Sequence, residues 1–351
     1  MPSRNTFDKP VGVVGAGSFG TVMANILARN SKVLLYARKP EMVEQLIKTR
    51  SNQGLSLHEN VTPTGSLEEV CSSCDVIFPI VPSANFRQMI RDLSPWLKPY
   101  HFLIHGTKGL IVSEEKWNNN HPDKSLGPED IYTMSRVIRE ETLVVRVGCL
   151  AGPNLSKELA DGQPAATVVA SQFDEVIREG QRLLRNDLFQ VYGSKDLVGI
   201  ELCGVLKNII AIAAGILSGL GFGENAHGLL VSRGLIEMVY LGRLLEGDVK
   251  AFLGLAGVGD LVATCSSNLS RNFTLGYRLS QGESLDSIIS SMEEVAEGVN
   301  TIKIMKTLAE NTGTRAPITE VLYRVMHEEM TAADALRLLM KSPFRIDIDI
   351  F

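Results

Sequence analysis

Six residues near the N-terminus constrain the fold most. Gly15-Ala16-Gly17-Ser18-Phe19-Gly20 follows a four-residue apolar run, 11–14, and leads into a helical pattern over 21–29. In a strand–turn–helix of this kind the first glycine permits the tight turn. The second lets the backbone approach a pyrophosphate, and the third packs the helix onto the strand. The helix N-terminus adds a field that favours an anion. The spacing alone is a weak signal; its place at the head of an alternating chain makes it a strong one.

That alternation runs through the first half. Apolar runs at 11–14, 33–36, 76–80, 102–104 and 143–147 read as buried strands, with weaker candidates at 166–170 and 189–192. Helical patterns at 21–29, 41–48, 85–93, 131–140 and 173–184 lie between them. Near-continuous apolar strands separated by helices imply a mostly parallel sheet covered on both faces. From about Lys195 helical periodicity takes over: 198–217 is apolar on nearly every side, and 229–246, 285–292 and 301–310 are amphipathic. Pro317 suits a first helical turn, and Thr331 with Asp334 resembles a capping box. The predicted class is α/β: a Rossmann-type domain over 1–194, then an all-helical domain over 195–351. A polar stretch at 112–128, containing Trp117 and His121-Pro122, reads as a surface insertion in the first domain.

Composition narrows the function classes. With 351 residues, 44% hydrophobic and 21% charged, the chain has the make-up of a globular protein rather than a disordered one. A net charge of −5 offers no basic excess for nucleic acid. The uncharged stretch 209–223 is shorter than the roughly 20 residues of a membrane span, and the polar N-terminus lacks a signal-peptide core. No membrane insertion is expected. Five irregularly spaced cysteines suggest reduced thiols and a cytoplasmic location. Cys71-Ser72-Ser73-Cys74 has zinc-like spacing without a second pair and reads as packing; no metal site is expected.

Several residues carry chemistry. After the second strand, where an acid would accept bonds from an NAD ribose, stand Ala37, Arg38 and Lys39. Two cations there suit a 2′-phosphate, which favours NADPH over NADH. Gly106-Thr107-Lys108-Gly109 and Ala151-Gly152-Pro153-Asn154 each follow a strand, at the sheet end where such folds bind ligands. Lys207 is the only charged side chain between Glu201 and Glu224. Such a lysine either snorkels to solvent or is held dehydrated, where its pKa falls and it serves as an acid–base group. A glycine-rich stretch at 254–259 precedes Asp260, which would pair with Lys207. Ser270 and Asn272 are alternative helix caps, and Arg271 between them would meet a phosphate at a helix N-terminus. The alternating residues Asp347-Ile348-Asp349-Ile350 read as an edge strand or a tail.

Taken in order, GAGSFG at 15–20, GTKGL at 106–110, AGPN at 151–154, GVLKNIIAIAAGI at 204–216 and GLAGVGDLVATCSSNLSRN at 254–272 resemble the NAD(P)-dependent glycerol-3-phosphate dehydrogenase family, in its bacterial type. The resemblance runs from about residue 11 to 340. It implies reversible hydride transfer between NAD(P)H and dihydroxyacetone phosphate, for glycerophospholipid synthesis, by a homodimer acting on a small phosphorylated substrate. It implies that Lys207 exchanges the proton at the carbon-2 oxygen. Lys108, Gly152, Asn154, Asp260, Ser270, Arg271 and Asn272 would contact substrate. Ser18, Phe19, Arg38, Lys108, Ser156, Arg271, Val295 and Glu297 would line the cofactor site, beside Gly15, Gly17, Gly20 and Lys39. Phe19 stands where bacterial relatives often have Trp, and Asn154 where the family commonly has Ser. The alternatives are a β-hydroxyacid or ketopantoate-type reductase, which lacks the paired 204–216 and 254–272 patterns, and a non-catalytic NADP(H) sensor, which needs neither Lys207 nor Asp260.

Overall fold

A computed structural model describes residues 9–118, 121–292, 296–328 and 330–340. They form two compact units: one from the first 107 residues with Met134–Leu197, the other from Lys108–Thr133 with the chain from Val198 onward.

The first unit is built on one eight-stranded sheet. Its strands are β1 (Val11–Val14), β2 (Val33–Tyr36), β3 (Val61–Thr64), β4 (Val76–Pro79), β5 (Phe102–His105), β6 (Arg146–Ala151), β7 (Ala165–Ser171) and β8 (Phe189–Ser194). They lie in the order β3-β2-β1-β4-β5-β6-β7-β8, parallel except at the β6–β7 junction. The first six strands thus have the Rossmann order, which reverses direction between β1 and β4. β1 and β4 are buried along their whole length, so the sheet needs cover on both faces. α1 (Ser18–Leu27) packs on β1 and β2, and α7 (Asp174–Leu184) packs on β6, β7 and β8. Met23, Leu27, Leu35 and Phe78 are fully buried in the resulting core.

Two strand readings need correction. β3 was not expected, because Pro63 interrupts its apolar run. Proline removes a ladder donor and is tolerated at a sheet edge, and β3 pairs with β2 alone. The expected strand at 143–147 lies instead at Arg146–Ala151, leaving Leu143 and Val145 exposed. Pairing to β5 and β7 fixes that register through Gly148 and Cys149, which carry little hydrophobic signal. The helix expected over 131–140 is α5 (Met134–Glu141), because Ile131–Tyr132 first pairs with Ile111–Val112. Cys71 and Cys74 pack in and beside the short helix α3 (Leu67–Ser73), and burial pushes both thiols up to about 12.

The second unit is helical: α8 (Leu197–Gly219), α9 (Glu224–Leu244), α10 (Val249–Phe252), α11 (Asp260–Cys265), α12 (Arg271–Ser280), α13 (Leu285–Ser291), α14 (Gly298–Thr312), α15 (Pro317–His327) and α16 (Ala332–Met340). α8 is long and apolar enough to cross a membrane, yet its apolar window is wholly buried as the core of the unit. α9 begins five residues before the expected start because its exposed first turns show no apolar face. Pro317 opens α15, and the Thr331 hydroxyl accepts from the Asp334 amide as a cap.

The 112–128 stretch departs from the expected division. It groups with the helical unit rather than with residues 1–194, and it is not merely superficial. Two short antiparallel ladders shape it, Leu126 is buried, and the Asn311 side chain on α14 donates to the Leu126 carbonyl at 2.8 Å.

One buried carboxyl ties α9 to α15. Glu237 is 3% exposed; it accepts from the Ile318 and Thr319 amides and from the Thr319 hydroxyl, at 2.8, 2.8 and 2.6 Å. These amides are unpartnered donors of the first turn of α15. Burial outweighs the three donors and lifts the carboxyl to about 7. A raised carboxyl binds its proton more tightly in the folded chain, so its contribution to stability is present at low pH and is lost as pH rises through about 7. In urea titrations between pH 5 and 8, wild type is therefore expected to lose stability with rising pH relative to Glu237→Gln. Parallel stability curves would refute the assignment.

Candidate active site

In the first unit the glycine loop joins β1 to α1 beside the strand-order reversal. Gly15 has φ +122°, and a Cβ there would lie 2.1 Å from the Ile80 carbonyl oxygen. A Cβ on Gly20 would lie 1.9 Å from the Gly15 oxygen, so both positions require glycine for close backbone approach. Gly17 differs: a Cβ there would meet nothing within 4 Å, and as the residue before α1 it has no side chain to cap the first-turn amides. The loop is tight where it touches protein and open at the helix N-terminus, which fits a dinucleotide pyrophosphate.

Asn52, which sequence reasoning missed, braces this loop. Its buried carboxamide donates to the Ala16 carbonyl at 2.9 Å and to the Thr21 hydroxyl at 2.7 Å. No spacing signal links it to a loop more than thirty residues away. Ser18 donates to the Gln53 side chain at 2.8 Å, and the Phe19 ring packs against the Gly106 backbone. Arg38 and Lys39 are exposed just past β2, after the buried Ala37. Gly152 and Asn154 are buried beyond β6, and Ser156 opens α6 (Ser156–Ala160). Asn154 donates to the Ala166 carbonyl at 3.0 Å, while its carboxamide oxygen is buried without a partner among the described residues.

The second unit gathers Lys108, Lys207 and Asp260. Lys207, in the middle of α8, is 5% exposed; it does not snorkel. Its Nζ donates to the Thr264 hydroxyl at 2.7 Å and lies 3.2 Å from Asp260 Oδ1. Asp260 is 2% exposed, and its Oδ2 accepts from Lys108 Nζ at 2.8 Å. One carboxylate is thus shared by two ammonium groups. Burial lowers the Lys207 pKa to about 8; Asp260 opposes the shift and the Lys108 charge adds to it. Thr264 is a second residue that sequence reasoning missed, although it stands one helical turn after Asp260 and so shares its face. The turn before Asp260, Leu255–Gly259, is π-wound, and a Cβ on Gly257 would lie 2.0 Å from the Phe252 carbonyl oxygen. Nearby Cys265 is buried, its thiol pushed up to about 12, so it supplies no nucleophile.

α12 starts at the next constellation. Ser270 caps it, accepting from the Phe273 amide at 3.3 Å, and Arg271 is exposed in its first turn. Asn272 is not the alternative cap: its Oδ1 accepts from the Gly298 amide at 3.0 Å, at the start of α14 and next to Glu297. Val295 and residues 347–350 lie outside the described residues.

Comparison with known proteins decides the family. Residues 10–177 match the N-terminal family model, and residues 196–337 the C-terminal one, of NAD-dependent glycerol-3-phosphate dehydrogenase. The chain belongs to that family. A glycerol-3-phosphate dehydrogenase [NAD(P)+] of Ectopseudomonas mendocina is 38% identical over 346 residues, 97% of either chain. One from Geobacter metallireducens is 40% identical, covering 95% of this chain and 97% of its own. The solved glycerol-3-phosphate dehydrogenase of Coxiella burnetii is 30% identical, with a TM-score of 0.85 over 96% of this chain and all of its own. An opposite charge within hydrogen-bond reach commonly shifts a pKa by about 1–3 units. In Asp260→Asn, the Lys207 titration followed by NMR of labelled lysine Cε should therefore move below its wild-type midpoint of about 8. An unmoved midpoint would mean that Asp260 does not sustain the ammonium.

Proposed function

We propose that this protein reversibly reduces dihydroxyacetone phosphate to sn-glycerol 3-phosphate with NAD(P)H, as a cytoplasmic homodimer supplying glycerophospholipid synthesis. The observation that carries the reading is the cluster that half-buried Lys108 forms with buried Asp260 and Lys207, within a chain whose relatives are glycerol-3-phosphate dehydrogenases. When bound, the nicotinamide supplies the hydride that reaches carbon 2. Lys207, as an ammonium, donates its Nζ proton to the oxygen of that carbon and is left as a neutral amine. Until then its charge stabilises the developing alkoxide, and Asp260 with Thr264 fixes the direction of Nζ. A pKa near neutrality suits both directions: reduction needs the ammonium, and oxidation of the alcohol needs the amine.

Arg271, in the first turn of the ten-residue α12, would anchor the substrate phosphate with its fork and the helix-end amides. Arg38 and Lys39 would hold a cofactor 2′-phosphate, making NADPH the preferred reductant. A cofactor sensor has no use for a dehydrated lysine on a shared carboxylate, which favours catalysis over that reading.

Oxidation of NADPH on adding dihydroxyacetone phosphate is the direct test. Unphosphorylated dihydroxyacetone should be a far poorer substrate, and Arg271→Ala should narrow that gap. Lys207→Ala should lower kcat by roughly 10²–10⁴-fold with little change in NADPH affinity. In wild type the reduction rate should fall, and the oxidation rate rise, as pH climbs through about 8. Near-normal turnover in Lys207→Ala would return that lysine to a packing role. Arg38→Ala should weaken NADPH roughly 10- to 150-fold more than NADH, the range of a charge-assisted bond. Equal losses for the two cofactors would remove Arg38 from the 2′-phosphate site.

A further inference from the structure

A short hairpin, Ser51–Asn52 paired with Leu55–Ser56, is fastened to α1 and commits a buried side chain to the glycine loop. Its docking does not need that side chain. The Asn25 carboxamide on α1 donates to the Ser56 carbonyl at 2.8 Å and accepts from the His58 amide at 2.9 Å, and Asn60 donates to the Ala28 carbonyl at 3.0 Å. The Arg50 guanidinium donates to the Val61 and His58 carbonyls at 2.7 and 2.6 Å, which ties the base of the hairpin to the start of β3. Asn52 is 5% exposed, a place where an apolar side chain would pack without losing hydrogen bonds to water. Its amide nitrogen turns to the loop instead, donating to the Ala16 carbonyl at 2.9 Å and to the Thr21 hydroxyl at 2.7 Å. That hydroxyl donates in turn to the Gly17 carbonyl at 2.9 Å. One carboxamide thus fixes two consecutive loop carbonyls, the second through a relay.

A trans peptide unit is planar, and its C=O and N–H point in opposite directions. Holding the Ala16 and Gly17 carbonyls therefore sets the directions of the Gly17 and Ser18 amides, on the side away from Asn52. The Gly17 amide has no hydrogen-bond partner among the described residues, and the space where a Gly17 Cβ would stand is open. We propose that Asn52 is a positioning residue for the dinucleotide pyrophosphate: directly through Ala16, and through the Thr21 relay, it holds the Gly17 and Ser18 amides as preset anion donors. Glycine at 17 leaves the adjoining peptide planes free to turn, so without the brace the donors would have to be ordered when the anion binds. Ordering them beforehand removes that entropy cost from binding. The proposal rests on the reading of the glycine loop as a pyrophosphate cradle, and all of its residues belong to the first unit.

The test is binding without substrate: NADPH and NADH by nicotinamide fluorescence, and ADP by competition against NADH. The three share a pyrophosphate and differ elsewhere. Asn52→Leu keeps the volume and removes the donor, so all three should bind roughly 10-fold or more weakly, from the lower end of the range for hydrogen bonds to a charged group upwards, and by factors that agree within about twofold. Thr21→Val cuts the relay and should show the same parallel loss, and adding Asn52→Leu to it should cost less than the two single losses combined. If Asn52→Leu does not fold, Thr21→Val carries the comparison alone. A second readout separates positioning from mere support of the fold. In protein labelled with 15N-glycine, the Gly17 amide proton should move downfield when ADP saturates wild type, and this shift should shrink at ADP saturation in the variant. Unchanged affinities, a loss confined to NADPH, full additivity with Thr21→Val, or an undiminished Gly17 shift would each overturn the proposal. A wild type that binds none of the three ligands would sink the cradle reading and the proposal with it, whereas a wild type that binds them and a variant that binds them equally well sinks the proposal alone.

Discussion

The helical unit is organised around a charge that is costly to bury. The ammonium in the middle of α8 is buried, and an isolated buried charge neutralises itself rather than persist. Asp260 keeps Lys207 ionisable, and Lys108 on the other carboxylate oxygen keeps Asp260 from being a simple one-to-one partner. Two ammonium groups thus share one carboxylate in a single polar cluster. Burial and the second lysine push the Lys207 proton off, the carboxylate holds it on, and the balance near 8 lets it move in either direction.

That balance demands geometry, and geometry is supplied by missing side chains. Gly215 and Gly276 let α8 and α12 touch backbone to backbone, which sets Arg271, at the start of α12, relative to Lys207 on α8. Gly257 plays the same part under the π-wound turn before Asp260, where an extra residue in the turn re-aims the acid. In the first unit, Gly15 and Gly20 press the loop against the sheet, while Gly17 leaves the helix end open. Glycines that look alike in a motif thus divide into those that close on protein and those that open towards a ligand.

Much of the candidate site could be picked out in the sequence because its residues violate the pattern around them. Lys207 stands out by interrupting an apolar helix, and Arg38 with Lys39 by replacing an acid. Thr264 and Asn52 escaped because a threonine and an asparagine near glycines are ordinary, and only their contacts give them work. The 112–128 stretch was misassigned for a related reason. Its polarity marked it as an insertion, but no local rule says which unit a loop packs on, and Leu126 with Asn311 decided that.

The sequence by itself determined the strand–helix alternation of the first half, the helical character of the second and the family, and it singled out Lys207 as the candidate acid–base group. Hydrophobic period, glycine spacing and an out-of-place charge are local quantities. Tertiary structure decided what depends on partners distant in the chain: the register of β6, the edge position that tolerates Pro63, the sharing of one carboxylate by Lys108 and Lys207, and the turning of Asn272 from its own helix to Gly298. A hydrogen bond or an ion pair is set by distance in space, and residues 152 positions apart, such as Lys108 and Asp260, carry no local trace of it until the chain has folded.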